Sequence, residues 1–418
     1  MITVKEARGR ILKSIIPLDT EKVGLLHGLD RVLASDIRAE LNLPSFDNSA
    51  MDGYALRFSD TKGADEKNPK ILEVIEDIPA GKMPSKKVRP GQCSRIMTGA
   101  PLPRGTDSVV MVEFTLKIEP GQGATRECIS VLKEIEKGEN VRCAGEDVKK
   151  GEKVLARGCL LRPPELGMLA ALGQDKVEVG RRPRVGILAT GDELSGFEEK
   201  LRPGKIRDSN SFILQGQIRK CGGVPLELGL ARDNWQDVEK KIKIGLEKNP
   251  DTLLVLGGIS VGKYDLVKDV LFSLGMKMEF WRVAMRPGKP LAFGFIKGIP
   301  VFGLPGNPVS STITFEEFVR PALLKMQGAR DLFRPTVEAI LAEGFSKKKG
   351  LRYFVRARIE MKNGKFFARL TGPQGSGIIH SLVLADGIIV VPEQIVRLKK
   401  GQTVSVQLLR HGYDGGVF

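Results

Sequence analysis

Histidine, tryptophan and tyrosine are scarce in this chain of 418 residues, at three, two and four. His27, His380 and His411 are too dispersed to read as a compact imidazole site, so any metal here is expected to be hard and oxygen-ligated. Few tyrosines and tryptophans, and no zinc-finger, RNA-stacking or basic-zipper signature, argue against a nucleic-acid module. The five cysteines (Cys93, Cys128, Cys143, Cys159, Cys221) are odd in number and scattered, with no Cys-x-x-Cys pair. They read as reduced thiols of a cytoplasmic protein without a zinc knuckle. No apolar run reaches the ~18 residues of a membrane span, and Met1 to Gly9 carries charges where a signal peptide has its apolar core.

What the chain does have is ample core-forming material. Apolar residues make up 41%, with 48 glycines besides, and the length allows two to four domains of ~100–200 residues. Lys and Arg total 66 against 50 Asp and Glu, a net charge of +16. That balance favours anionic partners, a phosphorylated cofactor among them, or a lysine-rich solubilising surface.

Val4 to Ile16 reads as an amphipathic helix, and Leu25 to Ile37 as a second. From Tyr54 to about Asp147 short strands alternate with Gly and Pro, as at Ile71–Ile75, Gln92–Ile96 and Ser108–Met111, giving an expected β module. Leu160 to Gly173 reads as a helix again. From Arg184 short apolar strands alternate with helices. The strands are Val185–Thr190, Val224–Leu230, Leu253–Leu256, Met278–Val283 and Pro300–Gly303. The helices are Ser211–Lys220, Trp235–Glu247, Leu266–Leu274 and Val309–Lys325. This pattern implies a mostly parallel α/β sheet, which binds ligands beyond the carboxyl ends of its strands. After Gln327 five strand-like runs (Thr336–Ala342, Arg352–Met361, Phe366–Leu370, Gly387–Val391, Thr403–Leu409) imply a C-terminal β barrel or sandwich.

Gly257-Gly258-Ile259-Ser260-Val261-Gly262-Lys263 nearly matches a nucleotide phosphate loop, but Tyr264 stands where a Ser or Thr must hold magnesium. The segment reads as a different glycine-rich loop for an anion, or as a tight turn. Asp265 follows it. Thr190-Gly191-Asp192-Glu193-Leu194 ends one strand of the sheet, Arg207-Asp208-Ser209-Asn210 opens a helix, and Asp233 follows another strand. Glu193, Asp208 and Asp233 therefore offer hard oxygens near the glycine loop, although Asp208, Ser209 and Asn210 are equally good helix caps. In Met285-Arg286-Pro287-Gly288-Lys289-Pro290, Arg286 supplies a planar fork for an oxyanion and Lys289 a point charge, unless this is an ordinary basic turn. Pro305 and Pro308 stiffen the loop Gly303–Ser310. A separate polar set lies in the N-terminal half: Asp47, Asn48, Ser49 and Asp52 in one loop, with Arg95, Thr98, Glu113, Glu146 and Asp147 at other junctions. Spacing alone does not bring these together.

Taken together, PSFDNSAMDGYA (44–55), IMTGA (96–100), GEDVKKG (145–151), TGDEL (190–194), GGISVGKYD (257–265), RPGKP (286–290) and GLPGNPVS (303–310) resemble the MoeA family, the molybdopterin molybdenumtransferases related to the gephyrin E domain. The resemblance implies an α/β multidomain fold in four parts. These are a discontinuous linking domain (1–39 and 146–181), a β-rich module (40–145), a three-layer molybdopterin-binding α/β domain (182–327) and a C-terminal β barrel (328–411). It implies insertion of molybdate into adenylylated molybdopterin with release of AMP, assisted by magnesium on Glu193, Asp233 and Asp265. Asp52, Thr98 and Asp147 would join those three in catalysis, in a cleft shared between the subunits of a homodimer. Asp208, Ser209, Gly257, Gly258, Ser260, Gly262, Arg286, Lys289, Pro305 and Pro308 would hold the substrates. Implied partners are the molybdopterin adenylyltransferase and apo-molybdoenzymes or their chaperones, with neither nucleic acid nor membrane. Arg286 departs from the family's usual lysine, and Asp386-Gly387 from its usual Asn-Gly. The rival readings are a P-loop-like ATPase or kinase, and a non-enzymatic gephyrin-like scaffold.

Overall fold

A computed structural model describes residues 1–118, 127–196, 198–258 and 266–409. The chain divides into two compact units: one contains residues 1–35, 157–166 and 176 onward, the other 36–156 and 167–175.

The first unit is built on a six-stranded sheet. Its strands are β1 (Arg184–Thr190), β2 (Val224–Ala231), β3 (Thr252–Leu256), β4 (Lys277–Arg282), β5 (Pro290–Ile296) and β6 (Ile299–Leu304), in the order β2-β1-β3-β6-β5-β4. The β2-β1, β1-β3 and β3-β6 pairs are parallel, and β5 runs antiparallel to both of its neighbours. Period-two alternation explains why β1 and β3 read as continuous apolar runs. Ile187, Ala189, Leu254 and Leu256 enter the core on one face, while Leu188, Leu253 and Val255 enter the core on the other.

Helices α1 (Asn210–Lys220), α2 (Trp235–Glu247) and α3 (Leu266–Ser273) cover these faces. In α2, Val238, Ile242 and Gly245 form the buried stripe, and Asn234 Oδ1 caps the helix by accepting from Asp237 N at 2.9 Å. The N-terminal helix Val4–Ser14 begins with a reciprocal Thr3–Glu6 capping box and buries Val4, Ala7 and Ile11 in the same core as Leu214 and Ile218. The expected helix Val309–Lys325 is present as Pro308–Thr314 and Arg320–Met326, joined by a wider π-type turn, Phe315–Val319.

One expectation is overturned. Leu25–Ile37 is no helix beyond the single 3-10 turn Leu25–Gly28. Asp30 takes a positive φ of 58°, and Val32 and Leu33 bridge to Leu160 and Val179, so tertiary pairing overrides the local pattern. Strand β5 follows the RPGKP turn, in a stretch to which the sequence pattern assigned no element.

The barrel belongs to the same unit. Strands β7 (Thr336–Leu341), β8 (Arg352–Lys362), β9 (Lys365–Leu370), β10 (Gly387–Val391) and β11 (Thr403–Leu408) close in the order β8-β9-β7-β11-β10 and back to β8. Ala339, Leu341, Val355, Ala357, Ile389 and Val406 fill it. Met285–Arg286 pairs in parallel with Arg352–Tyr353, which ties the RPGKP turn to the barrel wall.

The second unit carries its own six-stranded sheet, in the order Ser108–Met111, Gly53–Leu56, Gln92–Ile96, Lys70–Ile78, Cys128–Val131 and Thr115–Ile118. Tyr54, Leu56, Leu72, Cys93, Val110, Ile129 and Val131 pack on one side of it. This is the β module that the Gly/Pro-punctuated pattern implied.

Candidate active site

The carboxyl ends of the parallel strands open into a cleft of about 650 Å³. Among the residues expected to hold or transform a substrate, Glu193, Asp208, Ser209, Asp233, Gly257, Gly258, Pro305 and Pro308 line it together. The topology is the reason. Strand β1 delivers Gly191 and Glu193, β2 delivers Asp233, β3 delivers Gly257, and β6 delivers the loop with Pro305. Gly257 closes the floor at φ 87°, and a Cβ there would stand 2.6 Å from the Thr190 carbonyl oxygen, so only glycine fits. Thr190 is itself buried, its Oγ1 donating to the Leu256 carbonyl at 3.0 Å.

Asp233 is locked to its neighbour across the strand ends. Asp192 N donates to Asp233 Oδ2 at 3.1 Å, and Asp233 N donates to Asp192 Oδ1 at 3.2 Å. Asp208 also takes the capping role, accepting from Ser211 N at 3.1 Å, whereas Ser209 makes no side-chain cap. Arg207, absent from the expected binding set, is the one cation lining the cleft among the described residues, and it donates to the Gly196 carbonyl. Ser260, Gly262 and Asp265, with Lys263 and Tyr264, lie outside the described residues.

Arg286 lines a second cavity, of about 540 Å³, against the barrel. Among the described residues its walls hold four cations, Arg286, Lys347, Lys348 and Arg356, and no carboxylate. Tyr353 lies beneath two of them, with the Arg286 guanidinium 5.7 Å and Lys347 Nζ 5.1 Å from its ring centre. Arg356 is only 1% exposed. Its Nε donates to Ser381 Oγ and its NH2 to the Gly375 carbonyl, both at 3.0 Å. With no carboxylate beside it, burial brings its pKa down to about 10. Lys289 is exposed and lines neither cavity.

The two cavities share walls. The turn after Arg286 lines the cationic cavity with Pro287 and the acidic cleft with Pro290. The segment 374–379 lines the first with Gln374 and Gly375, and the second with Gly377 and Ile379.

Asp52 and Thr98 belong to the second unit and meet there. Asp52 Oδ1 accepts from Thr98 N at 2.7 Å and from Thr98 Oγ1 at 2.9 Å. The backbone bond, then the hydroxyl bond, hold the exposed Asp52 carboxyl below the usual aspartate range. Gly53 sets this loop in place, because a Cβ there would fall 1.9 Å from the Val110 carbonyl oxygen. Asp147 is exposed in the same unit, its backbone N–H donating to the Leu43 carbonyl.

Arg356, Lys347, Tyr353, Gln374 and Ser381 escaped the sequence reading. One signal was present: Arg356 is a charge inside the otherwise uncharged run Tyr353–Ala357. An ionised group in a buried strand calls for a partner or a ligand.

Three family models match successive stretches of the chain. Residues 2–173 match the MoeA N-terminal region (domain I and II), 186–325 a probable molybdopterin binding domain, and 338–409 the MoeA C-terminal region (domain IV). A protein of Mycobacterium tuberculosis named molybdopterin molybdenumtransferase 2 is 38% identical over 90% of this chain and 91% of its own. The molybdopterin molybdenumtransferase of Haemophilus influenzae is 36% identical over 98% and 99%. A crystal structure of the molybdopterin biosynthesis MoeA protein of Pyrococcus horikoshii superposes with a TM-score of 0.83 at 35% identity, covering 98% of this chain and 100% of that one.

Proposed function

Because the chain belongs to the MoeA family, we propose that its two adjoining cavities divide the substrates of a molybdopterin molybdenumtransferase between them. The chain is an enzyme of molybdenum cofactor biosynthesis that acts on molybdopterin, as its relatives' names state. The shared wall between an acidic cleft and a cationic cavity carries the reading.

The reaction joins a tetrahedral dianion, molybdate, to the dithiolene of adenylylated molybdopterin, and water cleaves the pyrophosphate link, leaving AMP and the phosphate of molybdopterin. A dianion needs cations in a partly dry pocket. Arg286 and Arg356 supply planar forks there, and Lys348 adds charge at the wall. The adenylyl phosphates fit the acidic cleft, where Arg207 provides a cation and the Gly257–Gly258 turn a close backbone approach. No thiol or imidazole of the protein is called for, since the substrate brings its own sulfurs.

The donor set of the acidic cleft fits magnesium. It is all oxygen, and among the described residues no three His, Cys, Asp or Glu side chains are grouped so as to hold a metal ion by themselves. Magnesium is commonly held by one or two carboxylates, with waters and phosphates completing the shell. Glu193 and Asp233 would hold it, and when bound it would offset charge on the departing phosphate. Asp233 is held for this by Asp192. Asp265 remains a third ligand on the strength of the family resemblance alone.

The homodimer, the cytoplasmic location and transient contacts with an adenylyltransferase and with apo-molybdoenzymes or their chaperones belong to this proposal as well. Among the described residues, no helix is long and apolar enough to cross a membrane. Sedimentation at twice the chain mass tests the dimer. The reaction is tested by incubating the chain with adenylylated molybdopterin, molybdate and magnesium. AMP release that depends on molybdate is expected; release that ignores molybdate, or none, overturns the reading.

A further inference from the structure

Strand β8 runs through Arg356 between two neighbours. On one side Arg356 stands opposite Ile388 of β10. On the other, the ladder to β9 ends one residue early, with Ala357 opposite Leu370. Thr371 N still donates to the Arg356 carbonyl at 3.1 Å. The chain then turns away, and the Arg356 N–H meets no backbone acceptor on β9.

A side chain takes that place. Gln374 Oε1 accepts from Arg356 N at 2.9 Å, and Gln374 Nε2 donates to Arg356 O at 3.2 Å. A carboxamide has the C=O and N–H of a peptide group, so it continues the ladder by one step. Nε2 also donates to the Gly372 carbonyl at 3.0 Å, which fixes the loop that carries Gln374. The next residue, Gly375, accepts from the Arg356 guanidinium, and Ser381 accepts from its Nε. Both acceptors are neutral, and among the described residues three of the five guanidinium N–H groups are left over.

We infer that Gln374 is a positioning residue for oxyanion binding: its carboxamide replaces the missing strand partner of Arg356 and so fixes the guanidinium in the cationic cavity. This rests on the oxyanion reading of that cavity given above. Gln374 acts through Arg356, at the point where the barrel ladder would otherwise leave the Arg356 backbone N–H unpaired. A mobile arginine would lose entropy on capturing the dianion, and a fixed one has already done so.

The test is calorimetric titration of molybdate, with magnesium-AMP as the control ligand for the acidic cleft, into the unmodified chain, Gln374→Leu and Gln374→Glu. Gln374→Leu removes both ladder bonds and should weaken molybdate about tenfold, with AMP affinity within twofold. Gln374→Glu keeps the acceptor but sets a carboxylate in the oxyanion cavity. It should weaken molybdate further than Gln374→Leu does, because a carboxylate held among the four cations competes with the dianion for them. A loss caused only by loosening of the barrel would be no deeper in Gln374→Glu than in Gln374→Leu and would appear as a lowered melting temperature. Unchanged molybdate affinity in Gln374→Leu overturns the inference, as does an equal loss of both ligands. If the unmodified chain binds AMP but no molybdate, the assignment of the cavity fails first, and this inference with it.

Discussion

Glu316 and Glu317 are adjacent in sequence, Glu317 buried and Glu316 nearly so, yet their carboxyl groups are displaced in opposite directions. The π-type turn at Phe315–Val319 sends them to different partners. Burial pushes Glu316 up, but the two-point hydrogen bond from Arg334, that residue's charge, a bond from Gln217 Nε2 and the nearby Arg320 together carry it below the usual range. Burial also pushes Glu317 up, and Arg8 with Gln407 does not fully offset it.

Glu316→Gln should therefore cost about 3–5 kcal/mol, since it leaves Arg334 and Arg320 buried without their counter-charge. Glu317→Gln should cost far less. The pH profiles separate the two. Glu316 contributes stability that is present above the ordinary glutamate pKa and lost as pH falls through its lowered native value. Glu317 binds its proton more tightly when folded, so stability falls as pH rises from the ordinary value through the raised one. Denaturant midpoints across acidic pH should show Glu317→Gln with the flatter decline as pH rises through that window.

Asp52→Asn should lower turnover by about tenfold or more with little change in melting temperature, because the side chain is exposed. The Thr98 bonds keep this carboxylate ionised through the mildly acidic range. The substitution should thus lower the whole pH–rate profile without moving its acid limb. A shifted limb would assign that limb to Asp52 and contradict the expectation.

Glu193→Gln and Asp233→Asn remove charge with almost no change of volume. Each should raise the magnesium concentration needed for half-maximal AMP release, roughly tenfold for the loss of one of two carboxylates. Asp192→Asn should do so more weakly, because its carboxylate holds Asp233 and does not line the cleft. Magnesium titrations of AMP release distinguish the three.

Arg356→Met exchanges a buried charge for an apolar side chain of similar volume. Such exchanges are often neutral or stabilising. The variant should lose molybdate binding and keep its melting temperature, so that binding and stability change independently.

Much of this architecture could be read from residue pattern. Trp235–Glu247 runs from its Asn234 cap to its last apolar turn as periodicity implied, and the strands ending in Thr190 and Leu256 stood out because both of their faces are buried. Strand β5 hid because Pro290 opens it and Gly294 interrupts it, two residues that ordinarily mark turns. Leu25–Ile37 misled because its apolar spacing fits a helix, while its backbone pairs with segments more than a hundred residues away. The acidic cleft was legible because strand ends in an α/β sheet converge by rule. The cationic cavity was not, since it depends on how Met285–Arg286 joins the barrel strand through Arg352–Tyr353. Residues 286 and 356 come to line one cavity through that pairing, and no spacing in the chain announces it.

The buried guanidinium of Arg356 has a consequence for the life of the protein as well as for its chemistry. A charge kept from water with neutral partners alone is a standing cost to the folded state. A bound oxyanion would relieve it and add stability in proportion to the logarithm of its concentration over its dissociation constant. The fold would then act as a gauge of its own feedstock: well supplied with molybdate, the enzyme is harder to unfold and slower to be degraded; starved of it, the idle enzyme is the first to be cleared.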